Sequence, residues 1–385
     1  MQGLVLDAVW EPKSDYKVSE WEQRTGKAIS GNQVWRHPKL EVRDWPDPEP
    51  RAHEVLLQIM SCGVCGSDMH FYETDDQDYI LYPGLTKFPT ILGHEFAGKV
   101  VDAGKDVSLL KVGDMVTVEE MIWCGRCVPC RNGYPNHCTN LEELGFTIPG
   151  AFANFIAVDE KFCWKIDAVA EAYGSEEMAY AVGALTEPSC VAYNAIFERA
   201  QGFRPGHYVD VFGAGPIGLA AIGLAKAGGA GTIVAFEVSP QRLELAKKVG
   251  ADHVFDPRKV SPGEVMQELS KGEGFDFHVE AAGVPELSIP EMEKALAINS
   301  KIVQIGRAAK RVPMYLEAFQ VRRSQVFGAQ GYSGHETFLN VIRMVAASKL
   351  DLSPIITSHY DLKETVAAIA KSTERADGKI MVRPN

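Results

Sequence analysis

An apolar-rich run, a glycine-rich turn and a helix-forming run follow one another directly in the middle of this chain. Residues 208–212 are predicted to form a strand and residues 219–227 a helix, so the glycines between them occupy a tight strand-to-helix turn. Gly213 permits the turn, Gly215 lets the backbone approach a pyrophosphate, and Gly218 allows close packing of helix on strand. The free amide groups at the start of the helix would face the phosphates. The predicted dinucleotide-binding residues of this turn are Gly213, Gly215, Pro216, Ile217 and Gly218.

A second predicted strand, 232–237, ends in an acidic residue 19 positions after Gly218. A carboxylate at Glu237 can accept hydrogen bonds from both hydroxyls of an adenosine ribose and would repel a 2′-phosphate, which favours NAD over NADP. Arg242 could meet a phosphate and is therefore a further cofactor-binding candidate. The alternative for Glu237 is an ordinary surface charge at the end of a strand.

The alternation of strands and helices continues to about residue 330. Further strands are predicted at 252–255, 275–279, 301–305 and 325–327, and helices at 262–271 and 290–298. Six strands separated by helices form a doubly wound parallel sheet. We therefore expect a Rossmann domain over residues 191–330.

Four of the eight cysteines lie in one short segment with the spacing C-x2-C-x2-C-x7-C. They are Cys124, Cys127, Cys130 and Cys138. The glycines and prolines between them predict a loop, and four thiolates on a loop can close a tetrahedral shell around Zn²⁺, which is typical of a structural site. Ferredoxin runs begin in the same way but continue with x3-C-P, whereas Thr139 follows the last cysteine here. The segment therefore predicts a structural zinc, separate from the reactive centre.

Chemistry needs a metal with an open position, so its ligands should be fewer and more dispersed. Candidates lie in the segments 63–70, 93–98 and 185–188. Each segment alone is weak evidence for a metal site, because a lone histidine is more often a structural residue than a ligand. Cys62 and Cys65 could also form a redox pair, although the βαβ pattern that accompanies such pairs is absent. Cys190 remains a minor candidate as a substitute ligand.

Acidic residues outnumber basic ones by 51 to 39, which gives a formal net charge of −12. This balance argues against binding to nucleic acid, because proteins that bind phosphate backbones usually carry a basic surplus. The amino end lacks the pattern of a signal peptide, and no apolar run reaches the ~18 residues needed to span a bilayer. We expect a soluble cytoplasmic protein without nucleic-acid or membrane partners. In that reducing compartment, clustered cysteines favour metal binding over disulfides.

Together and in this order, the motifs resemble those of the zinc-dependent medium-chain dehydrogenase/reductase family, nearly from end to end. The resemblance is carried by Cys65, Ser67, Asp68 and His70 in segment 63–70, by Gly93-His94-Glu95, by the four-cysteine segment, by Glu187-Pro188 and by the glycine motif. Glu187-Pro188 stands where alcohol dehydrogenases of this family place a third cysteine ligand. The chain is therefore most similar to the polyol branch, which includes sorbitol dehydrogenases.

The resemblance implies an α/β architecture of two domains. A GroES-like, β-rich catalytic domain would comprise residues 1–190 and 331–385, and the Rossmann domain residues 191–330, with the active site in the cleft between them. It also implies a homo-oligomer, either a tetramer or a dimer, with one catalytic and one structural zinc per subunit.

The implied activity is reversible, NAD-linked oxidation of a secondary alcohol of a polyol or cyclitol to the ketone, with a cyclitol ketone of the scyllo-inosose type among the substrates. The implied ligands of the catalytic zinc are Cys65, His94 and Glu187, with Glu95 as an adjacent alternate ligand. Ser67 would take the alcohol proton and His70 would pass it on. A threonine-dehydrogenase-like or simple alcohol dehydrogenase remains an alternative, as does a non-catalytic NAD-binding sensor.

The chain departs from the family pattern in three places. Residues 11–34 are additional to the usual amino-terminal strand pair, and residues 73–87 lengthen the loop after His70. We expect the second insertion to line or cover the substrate site. Sorbitol dehydrogenases carry Arg-Tyr after the last Rossmann strand, whereas this chain has Gly331-Tyr332, which disfavours sorbitol itself.

Overall fold

The computed structural model describes residues 1–308 and 310–385, and the chain divides into two compact units. The first unit contains Met1–Glu187, Ser358–Glu374 and Lys379–Asn385, and the second contains Pro188–Thr357 and Arg375–Gly378. Residues 331–357, which the family resemblance placed in the catalytic domain, thus lie in the second unit. Contacts within that unit hold them there: the Asn194 side chain donates to the Gly331 carbonyl at 2.9 Å, and the Asn340 side chain donates to the Tyr193 hydroxyl at 3.1 Å.

The strands of the described residues are numbered in chain order. They are β1 (Gln2–Trp10), β2 (Trp35–Asp44), β3 (Glu54–Gly63), β4 (Thr90–Ile91), β5 (Glu95–Ala103), β6 (Met115–Val118), β7 (Met121–Ile122), β8 (Glu142–Glu143), β9 (Phe155–Asp159), β10 (Cys163–Lys165), β11 (Tyr208–Phe212), β12 (Thr232–Phe236), β13 (His253–Phe255), β14 (Phe275–Glu280), β15 (Leu296–Gln304), β16 (Gln325–Gly328), β17 (Ile356–Asp361) and β18 (Lys379–Arg383).

The α-helices are numbered in the same way. They are α1 (Glu20–Thr25), α2 (Gly66–Tyr72), α3 (Val128–Arg131), α4 (Asp167–Tyr173), α5 (Glu176–Ala184), α6 (Thr186–Tyr193), α7 (Pro216–Ala227), α8 (Pro240–Val249), α9 (Pro262–Leu269), α10 (Pro285–Glu293), α11 (Leu316–Arg322), α12 (Thr337–Ala346) and α13 (Thr365–Ser372). A π-helical segment, Asn194–Arg199, follows α6. Short 3-10 turns lie at Gly31–Gln33, Pro135–His137, Glu160–Phe162, Ser353–Ile355 and Leu362–Glu364.

The first unit is rich in β-structure. Its largest sheet has the strand order β10-β6-β5-β3-β18-β17, with β9 also paired to β3. The successive pairs from β10 to β18 are antiparallel. In β3 the buried residues Val55, Leu57 and Ile59 alternate with more exposed ones, which is the period of a strand with one face on a core. The β-rich architecture expected for this part of the chain is confirmed.

The second unit is built on a parallel sheet with the order β13-β12-β11-β14-β15-β16. Relative to chain order within the sheet, this is the 3-2-1-4-5-6 arrangement of dinucleotide-binding folds. The central strands β11 and β12 are buried along almost their whole length, as expected for a sheet covered on both faces. The predicted doubly wound Rossmann sheet is confirmed.

One predicted helix was misplaced. Residues 290–298 were predicted to be helical. The helix instead spans Pro285–Glu293, with Pro285 in its first turn and Pro290 inside it. The apolar residues from Leu296 onward begin strand β15, and Leu296 pairs with Phe275 of the neighbouring strand.

Within the described ranges, the helices are too short or too polar for any of them to cross a lipid bilayer.

Candidate metal and cofactor sites

Cys65, His94 and Glu95 come together in the first unit. One ligand atom of each, the Cys65 sulfur, a His94 ring nitrogen and a Glu95 carboxylate oxygen, lies within 4.8 Å of the others. Cys65 precedes α2, where the Asp68 carboxylate accepts a hydrogen bond from the Cys65 amide at 2.9 Å. His94 and Glu95 stand at the start of β5, and β5 pairs antiparallel with the β3 strand that leads to Cys65. Strand pairing therefore joins two motifs that are about thirty residues apart in the chain.

The cluster is largely buried, with Cys65 half-buried, and is rich in potential negative charge. His94 is 4% and Glu95 1% exposed. Burial, and then the Glu95 charge, raises the pKa of the Cys65 thiol, which disfavours the thiolate. Burial lowers the pKa of His94 to about 4, so the imidazole is neutral at physiological pH. A neutral imidazole is the form that ligates metal.

A lysine from the end of the chain completes the surroundings of this cluster. Lys379, the first residue of β18, places its Nζ 2.5 Å from the Glu95 Oε2 and donates to the Val64 carbonyl at 2.9 Å. Burial would lower the pKa of Lys379, but the nearby Glu95 and Cys65 charges outweigh it and raise the pKa. The sequence analysis did not include Lys379. The only signal for it was a lone cation at the start of an apolar run.

These residues fit a zinc ion. Sulfur, imidazole and carboxylate donors are the ligands that catalytic zinc sites use. The buried Nδ1 of His94 has no hydrogen-bond partner among the described residues. A dication would also stabilise the thiolate form of Cys65 beside the Glu95 carboxylate, because two negative charges within 4.8 Å of each other repel.

Ser67 lies next to the cluster. Its Oγ is 3.4 Å from the His94 Nε2, which puts the hydroxyl directly beside the proposed ligands. His70 lies one turn further along α2 and is half-buried. Its carbonyl accepts hydrogen bonds from the amides of Leu81 and Tyr82. The structure thus brings Ser67 to the cluster and uses the His70 backbone to hold the segment 73–87.

Glu187 lies outside the group of atoms within 4.8 Å. It stands in the first turn of α6 and is 5% exposed, and its charge contributes to the raised pKa of Cys65. Glu120 is another buried acid in this region: burial, followed by the Glu143 and Glu187 charges, holds its pKa well above the usual range. In this structure Glu95, rather than Glu187, is therefore the third member of the cluster.

The remaining cysteines lie elsewhere. Cys62 and Cys190 are fully buried, and neither belongs to a metal-ligand cluster among the described residues. Cys163 is half-buried at the start of β10.

The four-cysteine segment forms a second cluster, with all four sulfurs within 4.8 Å of one another. The Cys127 sulfur is 3.4 Å from that of Cys130 and 3.8 Å from that of Cys138. Zinc–sulfur bonds of about 2.3 Å in a tetrahedron place neighbouring sulfurs about 3.8 Å apart. Amide groups of Arg126 and Cys127 lower the pKa of Cys124 to about 6, which favours the thiolate. The donor set and its spacing fit a closed structural zinc site.

The glycine motif has the expected form in the second unit. Gly213 has a φ of +89°, and Gly215 is the residue before α7. A Cβ on Gly213 would come within 2.7 Å of the Ala282 backbone, and one on Gly218 within 1.9 Å of the Gly213 carbonyl. A Cβ on Gly215 would meet only the tip of Arg242, at 3.8 Å. The backbone at Gly215 is thus open for a phosphate group, with Pro216 and Ile217 starting the helix behind it.

Glu237 directly follows β12 and is 7% exposed. Its carboxylate accepts hydrogen bonds from the amides of Ala214 at 2.7 Å, Val238 at 2.7 Å and Ser239 at 2.9 Å. The Ala214 contact fixes the carboxylate against the glycine turn. Arg242 is held by a hydrogen bond from its Nε to the Asp377 carbonyl at 2.9 Å. The acid and the arginine therefore flank the open backbone at Gly215, as a ribose and a pyrophosphate would require.

Comparison with known protein families finds two matches along the chain. Residues 51–168 match the model of the alcohol dehydrogenase GroES-like domain, and residues 216–347 match that of the zinc-binding dehydrogenases. Together they cover well over half of the chain, including Cys65, His94, the four-cysteine segment and the last motif glycine, Gly218.

Individual relatives are similar to this chain over 90% or more of its length. The chain is 41% identical over 375 residues to scyllo-inosose 3-dehydrogenase of Thermotoga maritima, with 94% of each chain covered. It is 31% identical to the sorbitol dehydrogenase of Bacillus subtilis, over 90% of this chain and 95% of the relative. A solved structure from Thermotoga maritima, assigned to the alcohol dehydrogenases, superposes with a TM-score of 0.96 at 40% identity, covering 99% of each chain.

Proposed function

Because the chain belongs to the zinc-dependent medium-chain dehydrogenase/reductase family, we propose that it interconverts a secondary alcohol of a cyclitol or related polyol and the corresponding ketone, with NAD as the hydride carrier. The observation that carries this proposal is the buried cluster of Cys65, His94 and Glu95, within a chain that also has a Rossmann sheet. A non-catalytic sensor would not need these ligand types to be retained and assembled.

The similarity to relatives supports the choice of substrate class. Identity is higher to an enzyme named for a cyclitol ketone than to one named for sorbitol. The Gly331-Tyr332 sequence, in place of the Arg-Tyr of sorbitol dehydrogenases, points the same way. A ring polyol is therefore the preferred substrate in this proposal.

The catalytic zinc would be held by Cys65, His94 and a carboxylate, either Glu95 or Glu187, and the structural zinc by the four-cysteine segment. When bound, the catalytic zinc supplies a Lewis acid that lowers the pKa of an alcohol. In this structure Lys379 already neutralises Glu95, which favours Glu187 as the carboxylate that completes the resting ligand set. Glu95 would then be the alternate ligand.

Ser67 is the residue that would receive the substrate proton. Its hydroxyl can accept a proton while donating its own onward, and its Oγ lies 3.4 Å from the Nε2 of the proposed ligand His94. His70, on the next turn of the same helix, would relay the proton. Burial of the neighbouring His94 and Glu95 would strengthen the electrostatic interactions at this site.

NAD is proposed over NADP because of Glu237. Its buried carboxylate is anchored by three amides at the end of β12, where it would meet the adenosine ribose. A 2′-phosphate at the same place would be repelled. Arg242 would face the pyrophosphate, since its guanidinium lies toward Gly215.

We also propose a homo-oligomer formed through the edge of the Rossmann sheet. β16 pairs with β15 on one side, and no other described strand covers its second edge. Val326 on this edge strand is 44% exposed, and on the neighbouring helix α11 Leu316 is 73% and Val321 64% exposed. An apolar, open edge is a template for pairing with the same strand of a second copy. Val326→Lys should shift the sedimentation coefficient toward the monomer, whereas Leu109→Lys, at an even more exposed apolar site of the first unit, should not. A monomeric wild type would contradict the proposal.

The activity is tested by following NADH absorbance with NAD⁺ or NADP⁺ over a panel of cyclitols, linear polyols, threonine and simple alcohols, before and after chelation. We expect NAD⁺-dependent, chelator-sensitive turnover of a cyclitol. Cys65→Ser should abolish it, whereas Cys163→Ser, outside both metal clusters, should retain it. Turnover that persists in Cys65→Ser with the metal absent would contradict the proposed zinc chemistry, and preference for threonine would favour the threonine-dehydrogenase alternative.

A further inference from the structure

We propose that Tyr82 determines substrate specificity by forming one wall of the polyol site, and that the two additional chain segments, 11–34 and 73–87, exist to hold it there. This inference rests on the proposed polyol activity. It assigns a role to both insertions, which the metal and cofactor sites leave unexplained.

A continuous series of tilted ring contacts, here called the aromatic stack, connects Tyr82 to the proposed ligand His94. The His94 ring lies 4.7 Å from the Phe146 ring, centroid to centroid, and Phe146 lies 5.1 Å from Tyr82. Tyr82 also contacts Phe71 of α2 at 4.9 Å. Phe71 is fully buried and Phe146 is 4% exposed, whereas Tyr82 is only half-buried. Tyr82 is therefore the aromatic side chain of this stack that keeps surface for contact with another molecule.

The backbone of Tyr82 is held from two sides. Its amide donates to the carbonyl of His70 at 3.2 Å, and its carbonyl accepts from the amide of Asn32 at 2.8 Å. The Gly31 amide donates to the Gly84 carbonyl at 2.9 Å. Together with the Asn32 bond, two hydrogen bonds from segment 11–34 therefore hold segment 73–87 near Tyr82. A bridge between Ala28 and Thr86 extends this pairing.

Two glycines allow this close packing. A Cβ on Gly31 would come within 2.9 Å of the Tyr82 carbonyl oxygen and within 2.8 Å of the Thr86 Oγ1. A Cβ on Gly84 would come within 2.7 Å of the Tyr82 ring. Neither glycine has a positive φ. Their absence of a side chain is therefore needed for close approach to Tyr82, and not for an unusual backbone conformation.

The chemistry of a tyrosine side chain suits a ring polyol. The tyrosine ring offers a broad apolar face with a polar hydroxyl at one end, and it loses little conformational entropy on binding. A cyclitol likewise presents C–H groups on its faces and hydroxyls on its rim. A linear polyol must freeze several rotatable bonds to lie flat against the same wall, which lowers its affinity relative to the rigid ring. A fixed Tyr82 ring should therefore favour cyclitols over linear polyols.

The test compares kcat/KM for a cyclitol and a linear polyol in Tyr82→Leu, Tyr82→Phe and wild type. Tyr82→Leu should raise the KM for the cyclitol about tenfold, with a smaller change in kcat and little change for the linear polyol. Tyr82→Phe retains the ring face and should keep the preference. Tyr72→Leu removes an exposed tyrosine outside the stack and serves as the matched control. Gly31→Ala should change the preference in the same direction as Tyr82→Leu. Gly31 lies outside the proposed substrate site, but the added Cβ would displace Tyr82.

An unchanged substrate ratio in a folded, zinc-replete Tyr82→Leu protein would overturn the inference. If that variant does not fold, Tyr82→Met, which also removes the ring, takes its place, and an unchanged ratio there is equally decisive. A wild type that turns over neither class contradicts the proposed function. In that case, calorimetry of myo-inositol binding to the NADH complex tests the role of Tyr82 separately from the proposed activity. Weaker binding in Tyr82→Leu than in wild type would support this role, and equal or absent binding would overturn it.

Discussion

The Nζ of Lys379 lies 2.5 Å from the Oε2 of Glu95, and both side chains are 1% exposed. Lys379 comes from the last strand of the chain, whereas Glu95 follows directly on the proposed ligand His94. The same ammonium group donates to the Val64 carbonyl, next to Cys65. One buried cation thus binds to both strands that present the proposed zinc ligands.

Replacement of Lys379 by methionine should destabilise the protein and weaken zinc retention. Methionine has a similar length but no charge, so Glu95 would be left as an uncompensated buried carboxylate. Removing one partner of a buried ion pair costs about 3–5 kcal/mol. Urea unfolding should report this loss of stability, and metal analysis after dialysis should report less than the wild-type zinc content.

A double variant distinguishes the ion pair from simple packing. Lys379→Met combined with Glu95→Gln removes both charges and should recover part of the lost free energy of unfolding. Lys363→Met, at an exposed lysine, should leave stability and zinc content unchanged. If Lys379→Met alone matches the wild type in both measurements, the ion pair has no role in holding the site.

Replacement of Cys130 by serine should remove one zinc per subunit and leave the other. The four sulfurs form a separate cluster from that of Cys65, His94 and Glu95, so the two metals should be lost independently. Metal analysis should give about half of the wild-type zinc content in Cys130→Ser and also in Cys65→Ser. Only Cys65→Ser should abolish turnover at a temperature where both variants are folded.

The thermal stability of these variants provides a second distinction. A structural zinc binds the folded chain more tightly than the unfolded chain, so its loss should lower the melting temperature of Cys130→Ser. Cys163→Ser changes a cysteine outside both clusters and should retain both zinc ions. Full zinc content in Cys130→Ser would show that this segment does not hold a metal.

The proposed zinc ligands could be identified from sequence because each lies in a short motif in which spacing and chemistry coincide. Cys65 and His94-Glu95 have neighbours that mark them as ligands. Lys379 does not, because only the pairing of the last strand with β3 brings it to a backbone carbonyl 315 residues away. Tyr82 was likewise hidden, since an insertion of unknown path gives no indication of which side chain turns inward.

In the Rossmann domain, too, elements with a clear local sequence pattern were predictable, whereas those fixed by tertiary contacts were not. Its strands were predictable because buried parallel strands are rich in apolar residues, and 208–212, which is apolar except for Asp210, matches β11 at both ends. The helix after β14 was misplaced because two prolines, Pro285 and Pro290, compete for the first turn. Local sequence does not decide between them, whereas the pairing of Leu296 with Phe275 does.

Replacement of Glu237 by alanine should reduce the preference for NAD⁺ over NADP⁺. The carboxylate that would bind the ribose hydroxyls and repel a 2′-phosphate is then gone, and Arg242 remains nearby. We expect the ratio of kcat/KM for the two cofactors to fall about tenfold or more, a free-energy change of about 1.4 kcal/mol. Glu244→Ala, at an exposed position of α8, should keep the wild-type ratio. An unchanged ratio in Glu237→Ala would mean that Glu237 only braces the glycine turn.

Replacement of Glu160 by glutamine should flatten the acid end of the stability profile. The buried Glu160 carboxylate accepts hydrogen bonds from the amides of Ser108 and Leu109, the latter at 2.6 Å. Burial alone would raise its pKa, but these donors outweigh it and hold the pKa below the ordinary 4.5. A depressed pKa in the folded state adds stability above the unfolded value, and this contribution is lost as the pH falls below about 4.5 through the folded pKa. At pH 7 the variant should therefore be less stable than the wild type by about 1–3 kcal/mol in urea unfolding, and the difference should shrink toward pH 3.

The control is Glu171→Gln, at an exposed carboxylate, which should follow the wild type at every pH. Zinc released by acid would affect all three proteins alike, so this control corrects for it. A difference between Glu160→Gln and wild type that stays constant from pH 7 to pH 3 would assign the effect to packing and not to the charge.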